Sequence, residues 1–320
     1  MGELINGVWE RTPLNAEATG GRFVRNTSAF RNWITPDGAA GPTGTGGFKA
    51  EPGRYHLYVS YACPWAHRTL IMRSLKGLEN MIGVSITHWL MGDDGWTFDP
   101  ADGVVADSVN GVTHLHQLYT LSEPGCTMRS TVPILWDKQT GTIVSNESAE
   151  IIRMFNSAFD GVGALPGDYY PQDLQGDIDA LNARIYDTLN NGVYKAGFTL
   201  HQTDHEAIVT AMFETLDMLE AQLAGRDFLL GDAMTEADIR LFVTLIRFDA
   251  VYHGHFKCNL RPIVSYPNLW RFTRAMYQHP RIRPTVRLDH IKAHYYQSQR
   301  AVNPSGVVPL GPILDLDAPV

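Results

Sequence analysis

The chain contains 320 residues, of which 44% are hydrophobic and 19% are charged, a composition typical of a soluble globular protein with room for two domains. Its formal charge is −8 and it has no Lys/Arg-rich run, which argues against a nucleic-acid partner because phosphate binding needs a basic surface. Three cysteines are too few for a disulfide framework, and no apolar run approaches the ~18 residues that a membrane span requires.

Residues 1–7 are not expected to act as a targeting signal. Residues 1–7 have neither the basic segment nor the apolar segment of a secretory signal. Asn6 also stands where a myristoylation signal requires Ser or Thr. With the low cysteine content, these features predict a cytoplasmic protein.

Residues 1–52 are rich in Gly, Thr, Asn and Pro, and they predict an irregular N-terminal arm. Residues 53–160 then alternate strand-like and helical segments in the order β-α-β followed by β-β-α. The predicted segments are a strand at 55–60, a helix at 64–76, a strand at 82–90, a long polar insertion, strands at 131–137 and 142–145, and a helix at 147–155. This order is that of a thioredoxin-like domain, so the first half of the chain is expected to be α/β.

Residues 173–300 carry apolar residues at helical spacing and predict an all-α domain. The predicted helices lie at 173–190, at 204–223, from 235 onward, at 267–278 and at 285–298. Thr235 and Asp238 have the spacing of a capping box, which marks the third helix start. Pro and Gly within residues 301–320 predict a C-terminal tail without regular structure.

Cys63 lies directly between the first of these strands and the first helix, with Pro64 at the first helical position. A helix N-terminus offers unpaired N–H groups and a partial positive charge, which stabilise a thiolate over a thiol. We therefore expect Cys63 to be a nucleophile, whereas an arbitrary cysteine is more often a buried, inert side chain. Ala66 stands where a dithiol oxidoreductase has its second cysteine, so a disulfide at Cys63 has to form with another molecule. Cys126 and Cys258 lack this context and are expected to be structural.

Motifs along nearly the whole chain resemble those of one family. In chain order they are Gly21-Arg22-Phe23-Val24-Arg25, Cys63-Pro64-Trp65-Ala66, Gly95-Trp96-Thr97-Phe98, Met128-Arg129-Ser130-Thr131-Val132-Pro133, Asn146-Glu147-Ser148, Asn191 to Phe198, Gly254 to Asn259, His294-Tyr295-Tyr296 and Asn303-Pro304. Their order resembles the glutathione transferase superfamily and, within it, the glutathionyl-hydroquinone reductases of the Xi class. The resemblance implies an N-terminal thioredoxin-like domain, a C-terminal helical glutathione-transferase domain and a homodimer formed through the helical domain.

The resemblance also implies a glutathione site on two loops. The Val132–Pro133 peptide bond is expected to be cis, with the backbone of Val132 paired to the cysteinyl residue of glutathione; an ordinary trans proline at a strand start is the alternative. Glu147 and Ser148 open a helix, where Ser148 is expected to be the cap and backbone N–H groups would bind the γ-glutamyl carboxylate. Glu147 would take the ammonium group of glutathione. A helix cap without a ligand role is the alternative.

Five further side chains have roles that the resemblance implies. Arg129 would hold the glycyl carboxylate or another anionic part of glutathione, and Trp96 would cover the tripeptide as an apolar wall. Tyr194, Tyr295 and Tyr296 would line an aromatic substrate pocket and hydrogen-bond the hydroquinone oxygens. Adjacent helical residues point about 100° apart, so only one of Tyr295 and Tyr296 can face the substrate squarely. Each of the five also has an ordinary alternative as a packing or surface residue.

Two histidine pairs, His114 with His116 and His253 with His255, could in principle bind a metal ion. Neither pair has cysteine or carboxylate ligands at a recognisable spacing, so no metal site is expected. Metal ligation is the less favoured interpretation of both pairs.

The sequence therefore predicts an enzyme that reduces glutathionyl-hydroquinones through a mixed disulfide between Cys63 and glutathione, releasing oxidised glutathione. Glutathione is the co-substrate, and no metal or nucleotide takes part. Two alternatives remain open. One is another cysteine-type glutathione transferase, acting on dehydroascorbate or on glutathionylated proteins, and the other is a non-catalytic ligand-binding module.

Overall fold

The computed structural model describes residues 2–11 and 19–320 of the chain. Met1 and residues 12–18, which belong to the predicted arm, lie outside the described residues. The contacts divide the chain into two compact units. The first, called the sheet unit, comprises residues 26–167 together with residues 2–11, and the second, called the helical unit, comprises residues 168–320 together with residues 19–25. No helix in these described ranges is both long and apolar enough to cross a membrane.

The chain begins with a short antiparallel hairpin that the sequence analysis did not predict. Strand β1 (Glu3–Ile5) pairs with β2 (Val8–Glu10) through Asn6 and Gly7, whose φ angles are 51° and 80°. Asn-Gly is the strongest sequence signal for such a turn, because both central residues need a positive φ. The prediction of an irregular arm is therefore wrong for this segment, and it holds from residue 22 to residue 52 apart from isolated bridges.

The sheet unit is built around a four-stranded mixed sheet. Its strands are β3 (Tyr55–Val59), β4 (Ile82–Ile86), β5 (Ile134–Asp137) and β6 (Thr142–Ser145), and they lie in the order β4-β3-β5-β6. Strand β3 runs parallel to β4 and antiparallel to β5, and β5 runs antiparallel to β6. Every residue of β3 is buried, as expected for a central strand that is covered on both faces.

Three helices complete this unit. Helix α1 (Pro64–Leu75) follows β3, α2 (His116–Ser122) precedes β5, and α3 (Ser148–Ser157) follows β6 and packs against α1. The resulting β-α-β and β-β-α order confirms the thioredoxin-like fold class. Helix α2 was missed because it lies within the segment interpreted as a polar insertion. The strand predicted at 82–90 is shorter because the His88 amide bonds to the Thr97 carbonyl, so the chain leaves the sheet there.

The arm lies along the free side of β6. The Asn32 amide bonds to the Val144 carbonyl at 2.9 Å, and the Asn146 amide bonds to the Phe30 carbonyl at 3.1 Å. Arg31, between the two, forms an antiparallel bridge with Ser145. Residues 30–32 therefore extend the sheet beyond β6 without forming a named strand.

The helical unit confirms the predicted all-helical domain. Its helices are α4 (Gln175–Ile185), α5 (Gly192–Phe198), α6 (Gln202–Gln222), α7 (Glu236–Arg247), α8 (His253–His255), α9 (Pro267–Gln278) and α10 (Leu288–Ser298). Short π-helical turns, Tyr186–Asn190 and Phe248–Tyr252, follow α4 and α7. The predicted capping box of Thr235 and Asp238 is present. The last helix begins later than predicted because Pro284 lies in a separate 3₁₀ turn, Arg283–Thr285.

Candidate active site

Cys63 occupies the N-cap of α1, as the sequence predicts. Its backbone is extended, with φ −77° and ψ 121°, and Pro64 takes the first helical position. The Cys63 carbonyl accepts the His67 amide at 3.0 Å, which closes the first turn. The side chain is partly exposed and does not cap a backbone N–H group. The sulfur therefore lies at the positive end of the α1 dipole, which favours a thiolate.

The other two cysteines are buried in different surroundings. Burial raises the pKa of the Cys126 thiol and that of the Cys258 thiol above the ordinary value. Across the described residues none of the three cysteines forms a disulfide. A buried thiol with a raised pKa is a poor nucleophile at neutral pH, so Cys63 is the one suited to covalent chemistry.

The backbone next to Cys63 comes from the loop before β5. The Val132–Pro133 peptide bond is cis, which confirms what the resemblance implied. The Val132 carbonyl oxygen lies 3.6 Å from the Cys63 sulfur. The candidate nucleophile and the backbone expected to hold the cysteinyl part of glutathione thus meet within the sheet unit.

The start of α3 differs from the prediction in its capping residue. The cap is Glu147, whose Oε1 accepts the Ala149 amide at 3.1 Å, whereas Ser148 was expected there. Ser148 is the first helical residue, and its buried hydroxyl accepts a hydrogen bond from Arg68 at 3.4 Å. A carboxylate before the helix can reach the second amide and also complements the dipole, which explains the exchange. The other carboxylate oxygen of Glu147 accepts the Ser28 hydroxyl at 2.9 Å.

Tyr119, on α2, hydrogen-bonds both the loop before β5 and the loop before α3. Its hydroxyl donates to the Thr131 carbonyl at 2.9 Å and accepts the Thr131 amide at 3.1 Å. It also accepts the Asn146 side-chain amide at 3.2 Å. Burial raises the pKa of Tyr119, so the phenol stays protonated. One hydroxyl therefore fixes the residue before Val132 and the residue before Glu147. No sequence pattern marks Tyr119, because its partners belong to other elements of the fold.

Trp96 and Arg129 also lie in the sheet unit, in contrasting surroundings. Trp96 is buried, and its carbonyl accepts the Leu115 amide at 2.9 Å. The hairpin supports the adjoining segment, since Trp9 stacks on His116 with ring centroids 4.5 Å apart. Arg129 is exposed and makes no hydrogen bond or ion pair with any described residue. Its guanidinium is therefore available to an anionic ligand.

In the helical unit, three tyrosine hydroxyls form a hydrogen-bonded group that we call the tyrosine cluster (Tyr194, Tyr295 and Tyr252). The Tyr194 and Tyr295 oxygens are 2.5 Å apart, and those of Tyr295 and Tyr252 are 3.1 Å apart. Burial raises the pKa of Tyr252 and of Tyr295 well above the ordinary value, so both stay neutral phenols. Tyr296 lies outside the cluster, and its hydroxyl donates to the Ala250 carbonyl at 3.5 Å. Sequence reasoning missed Tyr252, which no motif singles out.

The motif at residues 21–25 contributes to the surroundings of Tyr194. The Arg25 guanidinium lies over the Tyr194 ring at 5.2 Å and over the Phe23 ring at 5.3 Å. Its Nε donates to the Asn191 side chain at 3.1 Å. A cation over an aromatic ring stabilises negative charge that develops on that ring. Arg25 and Phe23 therefore form part of the immediate surroundings of the Tyr194 ring.

The two histidine pairs form no metal centre in the described residues, which hold no group of three or more His, Cys, Asp or Glu side chains suited to a metal ion. The rings of His114 and His116 are 5.4 Å apart and tilted. His255 instead hydrogen-bonds the Gln299 side chain at 2.9 Å.

Comparisons with known proteins agree with this architecture. The glutathione S-transferase N-terminal domain family matches residues 62–158, and the glutathione S-transferase C-terminal domain family matches residues 202–294. The chain is 56% identical to the glutathionyl-hydroquinone reductase PcpF of Sphingobium chlorophenolicum, over 98% of this chain and 96% of that one. It is 57% identical to the glutathionyl-hydroquinone reductase YqjG of Escherichia coli, over 100% of this chain and 98% of that one.

Solved structures give the same picture. The glutathione-bound structure of YqjG matches with a TM-score of 0.93 at 54% identity, covering 99% of this chain and 98% of that one. An Xi-class glutathione transferase from Natrialba magadii matches with a TM-score of 0.93 at 45% identity, covering 100% of this chain and 96% of that one. These likenesses extend over both units.

Proposed function

The chain belongs to the Xi class of glutathione transferases, the family of the glutathionyl-hydroquinone reductases, and we propose that it reduces glutathionyl-hydroquinones to hydroquinones. It is an enzyme whose co-substrate is glutathione. The observation that carries the proposal is the position of Cys63, a partly exposed thiol at a helix N-cap, 3.6 Å from the Val132 carbonyl oxygen. A thiolate there can attack a glutathionyl sulfur held by the neighbouring backbone.

In the first step, the Cys63 thiolate attacks the sulfur that joins glutathione to the aromatic ring. A sulfur–sulfur bond forms between Cys63 and glutathione, and the carbon–sulfur bond to the ring breaks. The ring carbon keeps the electron pair of the broken bond and takes up a proton, so the hydroquinone leaves. The thiolate form is required because a thiol is a weak nucleophile, and the α1 dipole favours that form.

In the second step, the thiolate of another glutathione attacks the glutathione sulfur of this mixed disulfide. Oxidised glutathione leaves, and the Cys63 thiolate is regenerated. The net reaction converts one glutathionyl-hydroquinone and one glutathione into one hydroquinone and one oxidised glutathione. Ala66 supports an external second thiol, because a buried alanine stands where a resolving cysteine would be.

Glutathione is held by the sheet unit in this proposal. The Val132 backbone binds the cysteinyl residue, Glu147 binds the ammonium group and the N-terminus of α3 at Ser148 binds the γ-glutamyl carboxylate. Arg129 binds the glycyl carboxylate, which its exposure and its lack of a partner among the described residues support. Trp96 supplies an apolar wall beside the tripeptide.

The tyrosines provide the specificity for a hydroquinone. When the carbon–sulfur bond breaks, electron density returns to the ring and charge develops on its oxygens, which hydrogen-bond donors stabilise. Tyr194 and Tyr295 serve this role as a hydrogen-bonded pair whose hydroxyl oxygens lie 2.5 Å apart, in which one phenolic proton remains for a substrate oxygen. Tyr296 borders the substrate in this proposal without donating to the reacting ring.

Two further features belong to the proposal. The enzyme acts in the cytoplasm, which its three cysteines and the absence of a disulfide within the described residues support. It forms a homodimer through the helical unit, as the family resemblance implies. Light scattering on the purified protein measures the molecular mass in solution, and a monomer mass would remove the dimer from the proposal.

The decisive experiment compares three substrates side by side, each with glutathione: a glutathionyl-hydroquinone, dehydroascorbate and a glutathionylated peptide. We expect hydroquinone and oxidised glutathione in a one-to-one ratio from the first, at the highest kcat/KM of the three. Turnover of dehydroascorbate or of the peptide without hydroquinone would support the other cysteine-type activities instead. If iodoacetamide at neutral pH failed to alkylate Cys63, a non-catalytic binding module would be the better interpretation.

A further inference from the structure

The hairpin at the start of the chain is bonded to the segment that precedes Arg129. The Leu4 amide donates to the Met128 carbonyl at 2.8 Å, and the Met128 amide donates back to the Leu4 carbonyl at 2.9 Å. At the turn of the hairpin, the Gly7 amide donates to the Cys126 carbonyl at 2.9 Å. Residues 126–128 therefore lie along β1, joined to it by an antiparallel bridge, and hydrogen bonds fix the backbone next to Arg129.

The second strand of the hairpin contacts the segment that precedes Trp96. The indole N–H of Trp9, on β2, donates to the Asp93 carbonyl at 3.0 Å. The backbone of Gly95 packs against the same ring, since a Cβ atom at this position would lie 3.0 Å from two of the ring carbons. The ring also stacks on His116. Trp9 therefore contacts both ends of residues 93–95, which lead directly into Trp96.

These two sets of contacts meet in one cross-strand pair. Leu4 and Trp9 lie opposite each other in the hairpin, where Leu4 is fully buried and Trp9 is half-buried. Beside them, Arg11 forms an ion pair with Asp94 at 2.9 Å. An isolated two-stranded hairpin is at best marginally stable, so this one depends on the contacts with both segments and in turn holds them. The hairpin is thus a brace between residues 126–128 and residues 93–95.

We propose that Trp9 is a positioning residue for glutathione, because through this hairpin it holds the segment that carries Trp96 in a fixed position relative to the segment that carries Arg129. The inference rests on the proposed function, in which Trp96 and Arg129 both contact the tripeptide. A site whose groups are already in place loses less conformational entropy when the ligand binds. The contacts to the tripeptide are the same before and during the reaction, so Trp9 acts on binding and not on the chemical step.

The test compares Trp9→Phe with the wild type. Phe keeps an aromatic ring for the stack on His116 and removes the indole N–H that bonds to the Asp93 carbonyl. We expect Kd for glutathione, measured by calorimetry, and KM for a glutathionyl-hydroquinone to rise together by about two- to tenfold, the equivalent of one neutral hydrogen bond, with kcat unchanged. Trp33→Phe is the matched control, because Trp33 is also half-buried in the sheet unit and its indole N–H donates to the Thr43 hydroxyl at 2.8 Å. This control should leave Kd and KM unchanged.

A double-mutant cycle with Arg129→Met separates positioning from an independent effect of Trp9. If Trp9 acts by holding the two segments in a fixed relative position, that position matters less once the Arg129 guanidinium no longer binds the ligand. The increase in Kd caused by Trp9→Phe should therefore be smaller in the Arg129→Met background than in the wild type. Increases of equal size in the two backgrounds would overturn the inference.

Calorimetry on the wild type distinguishes this inference from the proposed function. A wild type that does not bind glutathione would overturn both together. A wild type that binds glutathione, beside a Trp9→Phe variant with the same Kd, would overturn the inference alone. An equal increase of Kd in Trp33→Phe would also overturn it, because general loosening of the sheet unit would then be the cause. A fall of kcat at unchanged KM in Trp9→Phe would do the same, because the effect would lie in the chemical step.

Discussion

The sulfur of Cys63 lies 3.6 Å from the carbonyl oxygen of Val132, although the two residues are 69 positions apart in the chain. Their proximity follows from the pairing of β3 with β5. Because these strands are antiparallel, with Tyr58 opposite Ile134, the end of β3 adjoins the start of β5. Cys63, four residues after the end of β3, and Val132, two residues before the start of β5, are thus brought together by the sheet register. A change in that register would separate the nucleophile from the backbone beside it.

Replacing Cys63 with Ser is expected to lower turnover of glutathionyl-hydroquinone by at least about 1000-fold, because a serine hydroxyl stays protonated at neutral pH and is a far weaker nucleophile. Glutathione should still bind, because its proposed contacts come from other residues; calorimetry measures this. Mass spectrometry of the wild type should find the glutathione adduct at Cys63. Cys126→Ala, which removes a buried thiol, is the control, and an adduct at Cys126 would contradict the assignment.

Replacing Ala66 with Cys should divert the mixed disulfide into an internal bond between Cys63 and the introduced thiol. Side chains at an N-cap and three residues later are neighbours, as the 3.0 Å hydrogen bond between Thr235 and Asp238 shows at α7. An intramolecular thiol acts at high effective concentration and should outrun free glutathione. Mass spectrometry after one turnover measures the outcome. Finding only the glutathione adduct would mean that the two sulfurs do not come within bonding geometry.

Replacing Tyr194 or Tyr295 with Phe should slow hydroquinone release by about 10- to 1000-fold, because each change removes a hydroxyl from the pair proposed to stabilise the developing charge. Tyr296→Phe should have a smaller effect, since the Tyr296 hydroxyl bonds to the Ala250 carbonyl outside the tyrosine cluster. Stopped-flow kinetics with a glutathionyl-hydroquinone gives the rates, and reduction of a small glutathione mixed disulfide is the control. Equal rate losses in all three variants would show that membership of the tyrosine cluster does not determine the effect of a Tyr→Phe change on hydroquinone release.

Replacing Tyr119 with Phe should raise KM for glutathione severalfold with little change in kcat. The substitution leaves the Thr131 amide and the Asn146 side-chain amide without their common partner, at a cost of about 1–3 kcal/mol in the free energy of unfolding. Tyr58→Phe is the matched control, since that buried hydroxyl donates to Asp107 at 2.8 Å in the same unit. It should lower stability without changing KM. A similar KM increase in both variants would indicate general loosening of the unit.

The buried capping carboxylate of Asp238 predicts a pH dependence of stability. Burial raises the pKa of Asp238 from its usual value to about 6 in the folded state. Because the folded pKa exceeds the unfolded one, the fold favours the protonated form, and the contribution of this group to stability declines as the pH rises toward 6 and beyond. The unfolding free energy of the wild type minus that of Asp238→Asn should fall by about 1 kcal/mol between pH 5 and pH 7. Urea titrations at the two pH values measure it.

The control for this prediction is Asp227→Asn, because Asp227 is a largely exposed carboxylate in the same unit. The substitution makes the same chemical change at a largely exposed position, so an equal pH-dependent difference there would remove burial as the cause. A difference for Asp238→Asn that grew with pH would mean that the fold prefers the ionised carboxylate, which is the opposite of the expected decline.

Sequence patterns predicted those features of the fold and the site that depend on residues close together in the chain, such as helix starts. Cys63 followed by Pro64 marked a helix start, and the spacing of Thr235 and Asp238 marked another, because each relationship lies within one turn. Glu147 and Ser148 show the limit of such signals. Both residues are able to cap a helix, and the choice between them depends on where the backbone turns, which the two residue types do not determine.

Long-range contacts were beyond the reach of the sequence. Tyr119 contacts Thr131 and Asn146, and Tyr252 contacts Tyr295, through elements whose packing no local pattern describes. Which of Tyr295 and Tyr296 joins Tyr194 depends on the rotation of α10 about its axis. A rotation of about 100° exchanges the two, and the tertiary packing of the helix decides it.

The contact between residues 30–32 and β6 also covers one edge of the sheet. Without those residues, the backbone groups of Val144 and Asn146 would lie on an open sheet edge, which is a template for pairing with strands of other molecules. On the opposite edge, Val105 bonds to Ile86 and shields β4 in the same way. The irregular arm therefore covers the edge strand β6. We expect a chain shortened past residue 32 to aggregate more readily, even though it retains Cys63.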